Sequence, residues 1–419
     1  MRHLVHTGSY TSVAEDISLY EEALRVAVDL QDLTVPEASL ILPFLDVSAD
    51  IQRAKEQFGS IKYLFVVGIG GSSLGIEAVV AAFPYSTTAM LTVFDTLSVA
   101  RIEHTLARIA AQAIPKDDIA VCIISKSGST TETIANASLL LSKLEVHFGE
   151  SLASRTMVIT DKDSALDACA QTNGYTSFYI PHAVGGRFSV FSAVGVIPLS
   201  LLGIDVTALL SGVKETIDRT LKEGSDVVLK ARAIASFHEH SITTLDTFVF
   251  DSRLFAYALW RRQLLAESLG KSEDVVGNKG IYGTLPTASH AGDLHSVAQL
   301  YLSGARGIHT DFVTFETYDD TPLPEHPLLA IIPALKGKRT TDVSLALQNG
   351  VLDTYREQKL SYSEYQLAKL SERELGALMA TNMLETMYVA KLLHLNAFDQ
   401  PNVELYKKNM REHLAQNGN

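Results

Sequence analysis

The stretch YLFVVGIGGSSLGIEAVVAA, Tyr63 to Ala82, decides how this 419-residue chain folds. YLFVVGIG (63–70) opens as a β-branched, apolar run without polar alternation, the pattern of a strand buried on both faces. Its glycines turn the chain, and a helix is expected through Ala82. The unit then repeats. MLTVFD (90–95) precedes a helix near 98–112, IAVCIIS (119–125) precedes one near 130–147, and RTMVIT (155–160) continues the series. Such alternation predicts an α/β fold, a doubly wound parallel sheet whose ligands bind outside the C-terminal ends of the strands.

Working outward, residues 13–32 have helical periodicity, and VFSAVGVIPLSLLGID (190–205) is a buried helix in this reading. Two helices are expected over 206–240, and TLDTFVFDS (244–252) starts a second strand and helix series. GIHTDFVTFETY (307–318) and LLAIIPAL (328–335) are read as further strands, with DTPLPEHP (320–327) as a surface connection. From Ser361 onward the pattern reads as helical, through NMLETMYVAKLLHLN and a last helix after Pro401. The expected plan is a helical segment over 1–50, α/β domains over 51–205 and 206–375, and a helical segment over 376–419.

With 47% apolar residues the chain can build cores of ordinary size. A formal net charge of −13, with no basic block, argues against nucleic acid as a partner. A small anion remains compatible, because a nest of backbone N–H groups with one or two cations binds phosphate whatever the global charge. Cys122 and Cys169 lack metal or redox spacing and are read as reduced core residues. No apolar run approaches the roughly 18 residues that span a bilayer. A soluble, cytoplasmic protein without a membrane partner is therefore expected.

Five polar segments carry the chemistry. GIGGSSLG (Gly68 to Gly75) would aim backbone amides at an anion near a helix N-terminus, or simply make a tight turn. It is not a dinucleotide fingerprint, despite Asp95 at the next strand end, because Ser73 stands where the third glycine belongs. It is not a Walker A loop either, since Ile76 follows Gly75. SKSGSTTET (Ser125 to Thr133) gathers hydroxyls at another strand end; one could cap the following helix with Glu132, and the surplus suits a phosphate ester. Arg187, in VGGRFSVFSAVG, is set among glycine and apolar residues, fit for a buried anion or for a structural ion pair. Glu267, in QLLAESLGK, shares a helix face with Gln263 four residues earlier and is a candidate proton shuttle, although most helix glutamates are only solvated. His290 and His295 could supply an acid or base, and Lys407, in FDQPNVELYK, alone signals only a helix-end charge.

Taken together, GIGGSSLG, SKSGSTTET, GGRFSVFSAVG, ESLGK, DLHS and FDQPNVELYK resemble, in order, the motifs of the glucose-6-phosphate isomerase (phosphoglucose isomerase) family. The resemblance runs from about Tyr63 to Lys407, and the length is similar to the shorter bacterial form with two sugar isomerase (SIS) domains. It implies interconversion of glucose 6-phosphate and fructose 6-phosphate by ring opening and a cis-enediol intermediate, with no cofactor and no metal. By the same resemblance, Ser125, Lys126, Ser127, Ser129 and Thr130 hold the phosphate, while Gly71, Ser72, Gln263 and Gln400 line the sugar pocket. Glu267 is matched to the catalytic base, Arg187 to the cation beside the enediolate, and His295 and Lys407 to ring opening. A homodimer with an active site shared between subunits is also implied. Asn402 and Pro401 depart from the family pattern, as does the segment before DLHS. A bispecific phosphoglucose/phosphomannose isomerase and a non-catalytic SIS sugar-phosphate sensor are the alternatives, the second disfavoured by the joint presence of Glu267, Arg187, His295 and Lys407.

Overall fold

The structure, a computed structural model, describes residues 2–6, 17–223, 226–303 and 307–416. Its described strands, in chain order, are β1 (Arg2–His6), β2 (Tyr63–Val67), β3 (Met90–Phe94), β4 (Ile119–Ile124), β5 (Thr156–Thr160), β6 (Thr176–Tyr179), β7 (Thr244–Val249), β8 (Leu285–His290), β9 (Ile308–Phe315) and β10 (Ser361–Leu367). They form two five-stranded sheets, ordered β3-β2-β4-β5-β6 and β1-β10-β9-β7-β8. Every pairing is parallel except that of β1, which runs antiparallel along β10. Two parallel-sheet α/β domains thus result, as expected.

The alternation along β2 and β4 explains the double winding. Leu64, Val66, Ala120, Cys122 and Ile124 point into the large core shared with the second sheet. Tyr63, Phe65, Val67, Val121 and Ile123 point the other way, onto helices Val99–Ala111 and Thr131–Phe148. Strand β2 pairs with β3 on one side and β4 on the other, so the chain reverses direction across the sheet between β2 and β4. That switch point leaves a crevice at the strand C-terminal ends, where the glycine and serine loops emerge.

The second sheet carries its own polar core. Fully buried Arg261, on helix Phe255–Leu269, donates to Asp311 Oδ2 at 2.6 Å, Glu385 Oε1 at 2.9 Å and Thr247 Oγ1 at 2.8 Å. Lys230 joins the same cluster through Asp311, Ser363 and His309, the last at 2.9 Å. Burial, with Lys230 repelling a second positive charge, pushes the His309 imidazole down to about 4. Burial alone would raise Asp311, but Lys230 and Arg261 outweigh it and hold this carboxyl well below the usual range. One removed partner would strand a buried charge, so the cluster fixes helix Phe255–Leu269, and with it Glu267, against the sheet.

Several expectations need correction. The N-terminal segment contains a strand, β1, as well as helix Ser18–Asp29; positions 13–16 of the expected helix lie outside the described residues. LLAIIPAL is not a strand. Pro327 and Pro333 break it into two 3-10 turns, since each proline withholds a ladder donor, and Leu328, Ile331 and Ile332 are exposed. The region after Ser361 opens with strand β10 rather than a helix, its β-forming Tyr362 and Tyr365 interleaved with Ser363, Glu364 and Gln366. Cys122 is buried as expected, whereas Cys169 lies exposed on helix Ala165–Asn173. Among the described residues no helix is long and apolar enough to cross a membrane.

Candidate active site

The glycine loop and the Arg187 turn meet backbone to backbone. A Cβ on Gly71 would lie 2.2 Å from the Gly186 carbonyl carbon and 2.7 Å from the Arg187 nitrogen, so only glycine permits this approach. Ser189 locks the junction by donating to the carbonyls of Gly186 at 2.7 Å and Gly71 at 3.3 Å. The turn in turn drives Arg187 inward, where its side chain is 2% exposed.

Arg187 is the hub. Its Nη1 donates to Glu267 Oε2 at 3.1 Å and to Gln400 Oε1 at 2.9 Å, and its Nε to Ser268 Oγ at 2.8 Å. Its Nη2 donates to the carbonyls of Ala397 and Asp399. Burial lowers its proton affinity, with Glu267 and Asp399 opposing that shift, yet a guanidinium stays charged in proteins. The other oxygen of Glu267 accepts from Gln263 Nε2 at 2.8 Å. Glu267 nonetheless keeps 35% of its side chain exposed, so an edge of the carboxylate faces open space. The amide oxygen of Gln263 is buried and has no hydrogen-bond partner, and Gly70 packs against the same amide. An unsatisfied acceptor at this position suits a ligand hydroxyl.

The serine loop follows β4, next to the glycine loop after β2. Gly128, at φ +68°, makes the reversal, and a Cβ there would meet Ser164 Oγ at 2.6 Å and the Leu166 nitrogen at 2.9 Å. Ser125 is buried and pairs with the Thr130 hydroxyl at 2.9 Å. Ser127 and Ser129 are exposed, and Ser127 Oγ accepts from the Ser129 hydroxyl at 3.3 Å and from the Ser129 N–H at 3.4 Å. Thr130 is the N-cap residue of helix Thr131–Phe148 but makes no side-chain cap, so the capping explanation for these hydroxyls fails. The Thr130 N–H donates to Ser125 Oγ at 3.4 Å, so four hydroxyls ring the start of a helix whose first turn has no side-chain cap from Thr130. Lys126 arches over the loop to the His182 carbonyl at 2.7 Å, and Ser72 sits half-buried in the neighbouring glycine turn.

Of the residues picked from sequence, Gly71, Arg187, Gln263, Glu267 and Gln400 form one connected cluster. The serine loop flanks it at the adjacent strand end. His295 and Lys407 stand apart. His295 lies exposed in the turn after β8 and has no hydrogen bond to this cluster among the described residues. Lys407 Nζ is paired with Glu404 Oε1 at 2.7 Å, one helical turn away. Sequence reasoning passed over Ser268, Lys271 and Asp399, although the spacing of Lys271, four residues after Glu267, was a signal that the two share a helix face.

The chain is similar to known proteins in both sequence and fold. The chain is 32% identical over 388 residues to a glucose-6-phosphate isomerase of Thermus thermophilus, covering 90% of this chain and 92% of that one. The crystal structure of a hypothetical protein from Thermus thermophilus superposes with a TM-score of 0.84 at 30% identity, over 95% of each chain. A glucose-6-phosphate isomerase from Chlamydia trachomatis shares the fold, with a TM-score of 0.75 at 19% identity over 94% of this chain and 86% of that one. Residues 44–418 match the family described as phosphoglucose isomerase, and the chain belongs to that family.

Proposed function

We propose that this protein is a cytoplasmic isomerase that interconverts glucose 6-phosphate and fructose 6-phosphate, with Glu267 as the base. The observation that carries this reading is a single half-open carboxylate held between a buried guanidinium and an amide whose acceptor oxygen is unsatisfied. In the forward direction Glu267 takes the proton from C2 of the open-chain aldose. The C2–H electrons form the C1–C2 double bond and the carbonyl electrons move to O1, giving a cis-enediolate whose negative charge passes from O1 to O2 as the O2 hydroxyl proton moves to O1. The resulting enediol(ate) carries negative charge beside Arg187, where a preorganised cation stabilises it without reorganisation. The protonated Glu267 then returns the proton to C1 on the same face while O2 becomes the carbonyl oxygen.

Ser125, Lys126, Ser127, Ser129 and Thr130 hold the phosphate, which is remote from the reacting carbons and keeps the sugar in register. Gly71, Ser72, Gln263 and Gln400 contact the sugar, Gln263 through its free amide oxygen. Ring opening falls to His295 and Lys407. By its likeness to the family, His295 serves the site of a second subunit and the working unit is a homodimer, a placement with which the exposure of His295 is compatible. A coupled assay with purified protein in excess EDTA tests the reading: both sugar phosphates are turned over, and a protein that leaves both untouched defeats it.

A further inference from the structure

Helix Phe255–Leu269 ends in the turn that carries Glu267. Its last carbonyls lack intrahelical donors, as at any helix end. The Lys271 N–H, which would continue the helix by bonding to the Glu267 carbonyl, goes instead to the Leu269 carbonyl. The Lys271 side chain fills the gap, its Nζ donating to the Glu267 carbonyl at 2.9 Å. The same ammonium reaches Asp399 Oδ1 at 2.9 Å and also the Asp399 backbone carbonyl. Only 6% of the Lys271 side chain is exposed, against 49% for Asp399. Burying a cation this deeply is costly unless its donors are satisfied, and here all three have acceptors.

The partner of this contact is the segment that presents Gln400. Arg187 binds it from one side, at Ala397, Asp399 and Gln400, and Lys271 binds it from the other. Two buried cations therefore converge on the Asp399 carbonyl, and like charges are brought close only where something is held in return. Directly beyond this clamp come the turn Pro401–Val403 and helix Glu404–Gln416, which bears Lys407.

We infer that Lys271 is a positioning residue, which caps the carbonyl of Glu267 and pins the 397–400 segment to it, so that base, Gln400 and Lys407 share one frame. The inference rests on the isomerase reading above. It assigns Lys271 no contact with the substrate.

The test compares wild-type protein with Lys271→Met by steady-state kinetics and amide hydrogen exchange. Methionine keeps the length of the stem and removes the three donors. Displacement of a catalytic frame by about 1 Å costs on the order of 100-fold, so kcat falls by about that factor. Inhibition by inorganic phosphate is unchanged, because the serine loop is untouched. Peptides covering 397–416 exchange about tenfold faster, while those of 255–265 keep their protection. Both changes must appear together; a loss of kcat without faster exchange at 397–416, or faster exchange with wild-type kcat, overturns the proposal. If Lys271→Met does not fold, Asp399→Ala removes the carboxylate half of the contact and leaves the backbone-carbonyl half, so it must speed exchange at 397–416 by a smaller factor, about threefold, while unchanged exchange overturns the proposal. Wild-type protein inactive on both sugar phosphates would sink the isomerase reading alone, and the exchange comparison would still decide whether Lys271 pins the segment.

Discussion

Gly71→Ala adds one methyl group at the point where the glycine loop touches the Arg187 turn. The new carbon would stand 2.2 Å from the carbonyl carbon and oxygen of Gly186, where ordinary contact begins near 3.4 Å. The atoms it meets are backbone, so no rotamer change relieves the clash, and the two loops must separate by about 1 Å. Arg187 moves with its backbone, and Arg187 holds Glu267 and Gln400 at 3.1 and 2.9 Å. A shift of that size costs about 100-fold in kcat/KM, together with about 1–3 kcal/mol of stability from overpacking. Gly350→Ala is the control. Gly350 lies inside helix Thr340–Glu357 with nothing within 4 Å of an added Cβ, so alanine there leaves the kinetics alone and stabilises by about 0.5–1 kcal/mol. Steady-state kinetics and thermal unfolding of both variants read the contrast. Wild-type kcat/KM in Gly71→Ala would refute the claim that this close approach sets the position of Arg187.

Ser127→Ala with Thr130→Ala removes two hydroxyls from the anion loop; KM rises about tenfold or more while kcat changes little, and an unchanged KM would remove the loop from phosphate binding. Acid stability tests the buried cluster of the second sheet. His309 titrates at about 4 in the folded chain and at the ordinary value of about 6.5 when unfolded. Between these values the unfolded chain binds the extra proton, so stability is full above pH 6.5 and falls by about 3 kcal/mol as pH drops toward 4. Denaturant titrations of His309→Gln at pH 7 and pH 4.5 should show a shallower loss than wild type; equal losses would contradict the assignment.

How much of this was legible in the sequence depended on where burial was aliphatic. The strands β2, β4 and β5 are read directly because both their faces are covered, which leaves apolar runs such as Ile119–Ile124. β10 was not, because Ser363 and Glu364 are buried against polar partners that lie far away in the chain, such as Lys230, and nothing local reveals that they are inside. β8 was hidden likewise, since Thr287 and Ser289 face buried Asp246. The site divides the same way. Spacing alone pairs Gln263 with Glu267, one helical turn apart. That Arg187 meets Glu267, 80 residues away, follows only from the packing of Gly71 on Gly186. Lys271 and Asp399, 128 residues apart, were invisible as a pair for the same reason.

The central claim is that one carboxylate, Glu267, carries the proton between neighbouring carbons of a bound hexose phosphate. Glu267→Gln keeps the size of the side chain and a hydrogen-bonding end while removing the base. With kcat and substrate Kd measured on one preparation, the account predicts a Kd within a few-fold of wild type and a kcat lowered about a thousandfold. A variant that binds the sugar phosphate and still turns over at nearly the wild-type rate would contradict it.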